Sequence, residues 1–319
     1  MNREEPEGVP LRNRAAVETL ARALTDPMDG GLLFLGAGAA LQPKGPTLPS
    51  GVEVAKGLAK KCELEWHEYV PLSTTAFYYE SFFSRPGLEH YLKDLIDRPD
   101  VPPSDAVQAV ADVAGILEER GKSVFIITTN YDQSLERAYH KKFGRDLKVI
   151  IYRGRTDPND KDVNLHSGID KIADFWKPTE RVTYLYKMHG CISDPSSLVI
   201  TEEDYINFLS NALSADPQKR LLHEARGQIG LRTILFVGYS LMDWNFRVIF
   251  KATAEKTRSK ESYAVQFFQP KKSIDQERWE KTREFWSRKQ VNIINSDATQ
   301  FLHALVTELR TVKPAHAHQ

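Results

Sequence analysis

Residues 32–40 read Leu-Leu-Phe-Leu-Gly-Ala-Gly-Ala-Ala, a short apolar run followed by a glycine-rich turn. A continuous apolar run of this length is typical of a buried strand in a parallel sheet. The small residues that follow let the backbone approach a ligand and direct its N–H groups at a phosphate. Leu41 stands where the usual dinucleotide fingerprint has its third glycine. The motif alone therefore fits a phosphate loop and a tight strand-to-helix turn equally well.

Further apolar runs of the same kind occur along the chain. They predict strands near residues 124–127, 149–151, 184–188, 234–237, 263–268 and 291–294. Segments with helical spacing of apolar residues lie between the strands, at 15–24, 107–117, 134–143, 220–229, 244–254 and 301–309. Strands that alternate with helices predict an α/β fold of Rossmann-like type, in which a mostly parallel sheet carries helices on both faces.

Two insertions interrupt this alternation. Residues 46–120 separate the first two predicted strands and contain helical patterns at 54–64 and 88–96, which indicates a helical insertion module. Residues 153–180 are polar and rich in turn-forming residues, which indicates a loop insertion. We expect an N-terminal helical arm, one domain that contains both insertions, and a flexible tail, at residues 1–29, 30–311 and 312–319.

Composition and charge indicate an intracellular globular protein. Lys plus Arg and Asp plus Glu are equal at 43 each, so the net charge gives no support to nucleic-acid or membrane binding. The two cysteines, Cys62 and Cys191, are too few for a disulfide framework. No apolar stretch follows a basic start, and no apolar run is long enough to span a bilayer. We therefore expect a cytoplasmic protein that binds neither membranes nor nucleic acid directly.

Polar residues follow the second predicted strand, where an open parallel sheet binds its ligands. These residues are Thr129, Asn130 and Asp132. Asp132 could equally cap the helix that begins at Ser134. Asn130 has no such local role apart from shaping the turn, so we predict that it contacts a ligand.

His189 follows the fourth predicted strand and precedes Gly190, which lets the chain turn away. Histidine is the side chain best suited to proton transfer near neutral pH. A single histidine at the end of a buried strand can also be purely structural. The position at the carboxyl edge of the sheet favours a catalytic role.

Two later strand ends complete the predicted edge. Gly238 and Ser240 follow the fifth strand, where glycine permits close approach and the hydroxyl can donate to a ribose or phosphate oxygen. Asp243 and Asn245 are better explained as caps of the next helix. Asp297 follows the last strand and could cap the final helix or contact an adenine.

These segments resemble the motifs of the sirtuin superfamily, in the same order along the chain. Residues 36–38 resemble its first phosphate loop, and 128–132 its Gln/Thr-Asn-x-Asp segment. His189-Gly190 resembles the catalytic His-Gly, and 238–240 the Gly-Thr-Ser turn. The resemblance implies a catalytic centre of Asn130 and His189. It also implies NAD contacts from Gly36, Ala37, Gly38, Ala39, Thr129, Asp132, Gly238, Ser240 and Asp297.

Departures from the family pattern narrow the expected chemistry. Protein-deacylating sirtuins carry four zinc-binding cysteines after the His-Gly, whereas only Cys191 follows it here, so we expect no zinc ribbon and no metal. Residues 198–205 replace the Phe-Gly-Glu substrate strand, and 48–51 replace the Asp-Phe-Arg segment. These changes resemble the sirtuin-like NAD-hydrolase branch of bacterial antiviral defence systems.

That branch implies an NAD glycohydrolase, with NAD as substrate and nicotinamide and ADP-ribose as products. It further implies an NAD-depleting effector of antiphage defence. Such an effector would be a homo-oligomer controlled by a separate regulatory protein, for example an ATPase or another sensor. The alternatives are a zinc-independent protein deacylase and a non-catalytic NAD or ADP-ribose sensor that controls assembly. A Cys191/His189 nucleophilic pair has no evident third residue to orient it.

Overall fold

The computed structural model describes residues 11–26, 31–42, 44–67, 70–152, 182–213, 227, 229–241, 247–248, 250–251, 260–269 and 272–312. The predicted loop insertion at 153–180 and the predicted helices at 220–229 and 244–254 fall wholly or mostly outside these residues. Asp243 and Asn245 also lie outside them.

The described strands form a parallel sheet of seven strands, which confirms all the predicted strands. Their bounds are Leu32–Leu35 (β1), Val124–Thr128 (β2), Lys148–Ile151 (β3), Thr183–Lys187 (β4), Ile234–Val237 (β5), Ser262–Gln266 (β6) and Val291–Asn295 (β7). The order across the sheet is β3-β4-β2-β1-β5-β6-β7. Strand β1 pairs with β2 on one side and with β5 on the other. Strands β2–β4 thus lie on one side of β1 and β5–β7 on the other, so the order in which the strands are added reverses beside β1. This is where open α/β sheets bind ligands.

Helices connect the strands. The described ones are Leu11–Thr25 (α1), Gly51–Lys61 (α2), Leu72–Phe83 (α3), Arg85–Ile96 (α4), Asp105–Glu119 (α5), Ser134–Phe143 (α6), Glu202–Leu213 (α7), Ser273–Ser287 (α8) and Ala298–Thr311 (α9). The sequence pattern does not predict α7 or α8, and it includes α3 only as part of the helical insertion module. No helix in the described ranges is both long enough and apolar enough to cross a bilayer.

Helices cover both faces of the sheet, as predicted. On one face α1, α5, α6 and α9 pack on side chains such as Leu33 and Ile126. On the other face α7 and α8 pack near Phe34 and Phe236. Successive residues of a strand point to opposite faces, which explains why Leu33 and Phe34 belong to different cores.

Helix α1 belongs to the first of these layers. Val17, Leu20 and Leu24 are buried in the same core as α5 and α9. Asn13 Nδ2 donates to the carbonyl of Asn295 at 3.3 Å, which ties α1 to the end of β7. The described part of the expected N-terminal arm therefore packs as an integral helix of the domain.

Helices α2, α3 and α4 form a separate module with its own small core. Val54, Leu58, Ala76 and Leu92 pack there against the segment 192–200, which follows β4. Helix α5 also falls within the expected insertion at 46–120, but it packs on the sheet. The module that stands away from the sheet thus consists of α2–α4.

Candidate active site

A cavity of about 450 Å³ opens at the carboxyl ends of β1, β2, β4 and β5, beneath the α2–α4 module. Most of the predicted site residues line it: Ala37, Gly38, Thr129, Asn130, Asp132, His189, Gly238 and Ser240. Gly36, Ala39 and Asp297 are not among its lining residues. Asp297 caps α9 by accepting from the N–H of Gln300 at 3.0 Å, as the capping alternative predicted.

The turns after β1 and β5 are in direct contact. The N–H of Gly38 donates to the carbonyl of Gly238 at 2.8 Å. Gly238 has φ of +62°, and a Cβ placed there would lie 2.0 Å from the nitrogen of Ala39. A Cβ on Gly36 would lie 2.6 Å from the Gly238 carbonyl oxygen. All three glycines are therefore needed for the close approach of the two turns.

Most N–H groups of the turn after β1 that were expected to bind a phosphate already donate hydrogen bonds within the protein. Gly36 donates to Val237 at 3.0 Å, Gly38 donates to Gly238, and Ala39 donates to the Gly36 carbonyl at 2.9 Å. Among the described residues, the N–H of Ala37 is left without a backbone acceptor. None of the described lining residues is a lysine or arginine. An anion in this cavity would thus rely on hydrogen bonds from neutral groups of the described wall.

Asn130 presents an unpaired acceptor within the cavity wall. Its Nδ2 donates to the carbonyl of Gly36 at 3.1 Å. A carbonyl can only accept, so this bond fixes which way the amide points. Among the described residues, no group donates a hydrogen bond to the buried Asn130 Oδ1. Leaving such an acceptor unsatisfied costs about 1–3 kcal/mol, which a hydroxyl or water of a bound ligand would offset.

Asp132 lies two residues before the start of α6 and bonds the first N–H of that helix. Its Oδ1 accepts from the N–H of Ser134 at 2.8 Å, at the start of α6. The residue also lines the cavity, as Thr129 does, and its contact with a ligand stays a prediction. The N–H of Thr129 continues the strand pairing by donating to Leu35 at 3.2 Å.

His189 is 4 % exposed and reaches the cavity wall. Its ring stands edge-on to Tyr205 and Phe208, with ring centroids 5.2 and 5.1 Å away. Burial lowers the pKa of His189 to about 3, which keeps the imidazole neutral near neutral pH. A neutral imidazole can accept a proton. Gly190 has φ of +86°, so the chain turns away as the sequence predicted.

The opposite wall of the cavity was not predicted from the sequence. Tyr131, Ile200 and Tyr205 line it together with side chains of the α2–α4 module. The Tyr131 hydroxyl donates to the carbonyl of Val199 at 2.7 Å. Burial, reinforced by Tyr205, raises the pKa of Tyr131 well above its usual value, so the hydroxyl stays protonated as a donor. The lining residues from the module and the loop before it are Leu48, Pro49, Gly51, Val54, Leu72, Leu92 and Ile96.

Arg85 of α4 connects the module to the site. Its guanidinium contacts the carboxylate of Asp204 at 2.6 Å and the carbonyl of Leu198 at 2.7 Å. Burial opposes the charge of Arg85, but Asp204 and its other carboxylate neighbours outweigh burial and raise the pKa. Asp204 also accepts from the N–H groups of Ile200 and Thr201 at 3.1 and 3.0 Å. The ion pair therefore fixes the segment that carries Ile200 into the cavity wall.

Comparison with known proteins identifies the fold family. A family model for the SIR2-like domain matches residues 124–294, more than half of the chain. The chain belongs to the SIR2-like family. This confirms the sirtuin-like resemblance on which the expected site was based. In the described part of this SIR2-like chain, no three His, Cys, Asp or Glu side chains are grouped to hold a metal ion.

Two curated proteins resemble part of this SIR2-like chain. NAD(+) hydrolase ThsA of Enterococcus faecium is 30% identical over 125 residues, which is 38% of this chain and 20% of that protein. NAD(+) hydrolase ThsA of Bacillus cereus (strain MSX-D12) is 28% identical over 123 residues, with the same shares. The chain thus matches about a fifth of the length of these relatives.

Proposed function

We propose that this chain is an NAD glycohydrolase that cleaves the nicotinamide–ribose bond to give nicotinamide and ADP-ribose. The observation that carries the proposal is that Asn130, whose buried Oδ1 has no partner in the described part of the chain, lines the same cavity as the neutral imidazole of His189. Membership of the SIR2-like family and similarity to two proteins named NAD(+) hydrolase support NAD as the substrate.

The proposed reaction needs an acceptor for hydrogen bonds and an acceptor for a proton. The bond between ribose C1′ and the nicotinamide nitrogen breaks, and nicotinamide leaves with the electron pair. Water then adds to the oxocarbenium-like C1′ and loses a proton. Asn130 Oδ1 would accept from a ribose hydroxyl or from the attacking water. His189 would take the proton. Its pKa of about 3 makes it a weak base near neutral pH, so we expect its contribution at the lower end of the about 10²–10⁴ in rate that is typical of a general base.

Substrate binding is proposed for the two glycine turns and their neighbours. Gly36, Gly38 and Ala39 would act by holding the turns together, while Ala37 offers its N–H to the pyrophosphate. Thr129, Asp132, Gly238 and Ser240 would contact NAD from the cavity wall. Asp297 caps α9 with Oδ1, so only its second carboxylate oxygen would be available for the adenine edge.

The proposed biological role is depletion of NAD as an effector of antiphage defence in the cytoplasm. The sirtuin-like branch that the sequence resembles supports this role. It also supports a homo-oligomer controlled by a separate protein, such as an ATPase or another sensor of a defence system.

The test is to incubate the purified protein with NAD and to follow nicotinamide and ADP-ribose by chromatography and mass spectrometry, with and without co-purifying proteins. His189→Ala and Asn130→Ala should each lose at least about 10²-fold in rate. Asn207→Ala and His303→Ala, which change exposed residues outside the cavity, should retain the wild-type rate. If His189→Ala releases the products as fast as wild type, His189 is not the base.

The same assay separates the two other functions considered. O-acetyl-ADP-ribose that appears only with an acylated peptide would indicate a deacylase. Intact NAD recovered after a ligand-dependent change of assembly would indicate a sensor. Either result would overturn the proposed hydrolase.

A further inference from the structure

Lys187, the last residue of β4, is completely buried two residues before His189. Its Nζ donates to the backbone carbonyl of Asp132 and, at 2.9 Å, to Oε1 of Glu136. One ammonium group thus joins the strand that leads to His189 with the turn that carries Asn130. The other partner, Glu136, lies in the first turn of α6.

Burying an ammonium group is strongly unfavourable unless its partners compensate. Burial disfavours the charge of Lys187, but Glu136, Cys191 and Asp132 outweigh it and raise the pKa. The lysine is therefore charged in the folded protein. An apolar side chain of similar length would avoid the desolvation cost, so the position of the charge calls for an explanation beyond packing.

Two N–H groups of the segment that follows β4 already donate to carbonyls of the turn that carries Asn130. The N–H of Met188 donates to Thr128 at 2.8 Å, and the N–H of Ile192 donates to Tyr131 at 2.9 Å. The carbonyl of Asp132 lies at the far end of the turn, where Lys187 supplies the donor from a side chain. The turn that bears Asn130 is thereby held at both ends.

We propose that Lys187 is a positioning residue whose bond to the Asp132 carbonyl sets the turn of Asn130 relative to His189. The catalytic effect rests on the proposed NAD hydrolysis, whereas the effect on the turn is independent of it. The pair with Glu136 neutralises the buried charge and does not itself set the turn.

The first experiment compares kcat and KM for NAD in Lys187→Met, Glu136→Gln and the double variant. We expect kcat per folded molecule to fall about 10- to 100-fold in both variants that lack Lys187, because a misplaced group costs up to about 10² in rate. KM should change less than about threefold, since the glycine turns remain intact. Glu136→Gln retains the bond to Asp132 and should keep kcat within about threefold of wild type.

Tyr139→Phe provides a matched control on the same helix. It removes a buried hydrogen bond of 2.5 Å to Glu118, and neither residue lines the cavity, so kcat should stay unchanged. If the double variant regains the wild-type kcat, the defect of Lys187→Met comes only from an unpaired Glu136 and the proposal is wrong. The double variant also removes that unpaired charge, in case Lys187→Met alone fails to fold.

Hydrogen exchange of residues 128–133 without ligand tests the turn independently of NAD cleavage. Protection should fall about tenfold in both variants that lack Lys187 and stay unchanged in Glu136→Gln. If wild type cleaves no NAD but this pattern appears, the proposed function fails and the effect of Lys187 on the turn stands. Unchanged protection in all variants would overturn the proposal.

Discussion

The Asn130 side chain at the end of β2 donates from Nδ2 to the carbonyl of Gly36 at the end of β1, at 3.1 Å. This bond joins neighbouring strand ends and commits the donor half of the amide to the protein. The acceptor half, Oδ1, is buried and has no hydrogen-bond partner among the described residues.

Asn130→Asp tests this arrangement, because it preserves shape but removes the donor. A carboxylate oxygen of the new Asp would then face the carbonyl oxygen of Gly36, where Nδ2 of Asn130 now donates a hydrogen bond. We expect kcat/KM for NAD to fall by about 10²–10³, the usual cost of losing one preorganised polar contact in a site. Asn207→Asp, on the exposed side of α7, should keep wild-type kinetics. Equal activity of Asn130→Asp and wild type would contradict the role of the amide.

His189 should make the stability of the protein depend on pH. Its pKa is about 3 in the fold against 6.5 in the unfolded chain, so the unfolded chain binds a proton first as pH falls. The free energy of unfolding should therefore decrease between about pH 6.5 and 3. From pH 7 to pH 4 the loss due to this group is about 3 kcal/mol.

Chemical denaturation of wild type and His189→Gln at pH 7 and pH 4 measures this contribution. The variant should lose less stability on acidification, whereas His303→Gln on the exposed face of α9 should behave as wild type. Parallel losses in wild type and His189→Gln would show that His189 is not buried as a neutral ring.

The strands and most helices could be predicted because their apolar patterns are local. Runs such as 124–127 are continuous, and the spacing in 134–143 is helical. Helix α8 escaped prediction because its surface is polar, with Trp286 as its fully buried side chain. Helix α7 begins at a signal that could have been recognised, since Thr201 and Asp204 cap its first turn reciprocally.

The site was predictable only on the side of the strand ends. Residues that follow parallel strands must meet at one edge of the sheet, which is how His189 and Asn130 could be placed together. The far wall depends on how α2–α4 dock, and no local pattern encodes that docking. Likewise, the sequence could not reveal that the N–H of Gly38 donates to the carbonyl of Gly238 and not to a ligand.

Gly238→Ala should damage both stability and binding, because the new Cβ would meet the nitrogen of Ala39 at 2.0 Å. Gly144→Ala is the matched control. Gly144 has a similar φ of +63°, but a Cβ there would meet nothing within 4 Å. We expect the control to lose about 1 kcal/mol and Gly238→Ala to lose more, together with NAD binding. Denaturation and calorimetry measure the two effects, and equal losses would argue against the close contact.

Arg85→Met should destabilise the fold by about 3 kcal/mol, because it leaves the buried carboxylate of Asp204 without its cation. The side chain of Arg85 is 10% exposed, so solvent compensates little. Arg98→Met breaks an exposed pair with Asp100 and should leave the unfolding midpoint unchanged. Denaturant unfolding measures the free energy of unfolding of both variants. If Arg85→Met is as stable as wild type, the ion pair does not secure the module.

The contact between Gly38 and Gly238 also limits how this pocket can diversify. Any side chain introduced at either glycine collides with the other turn, so the part of the pocket proposed to bind the nucleotide is closed to gradual change. Among the described residues, the α2–α4 module is attached through its own small core, the ion pairs of Arg85 and a hydrogen bond from Thr74 to Glu202. We expect its apolar lining residues to tolerate single exchanges better than the two glycine turns do. New ligand preferences would therefore arise from changes in the α2–α4 module, while the two glycine turns stay fixed.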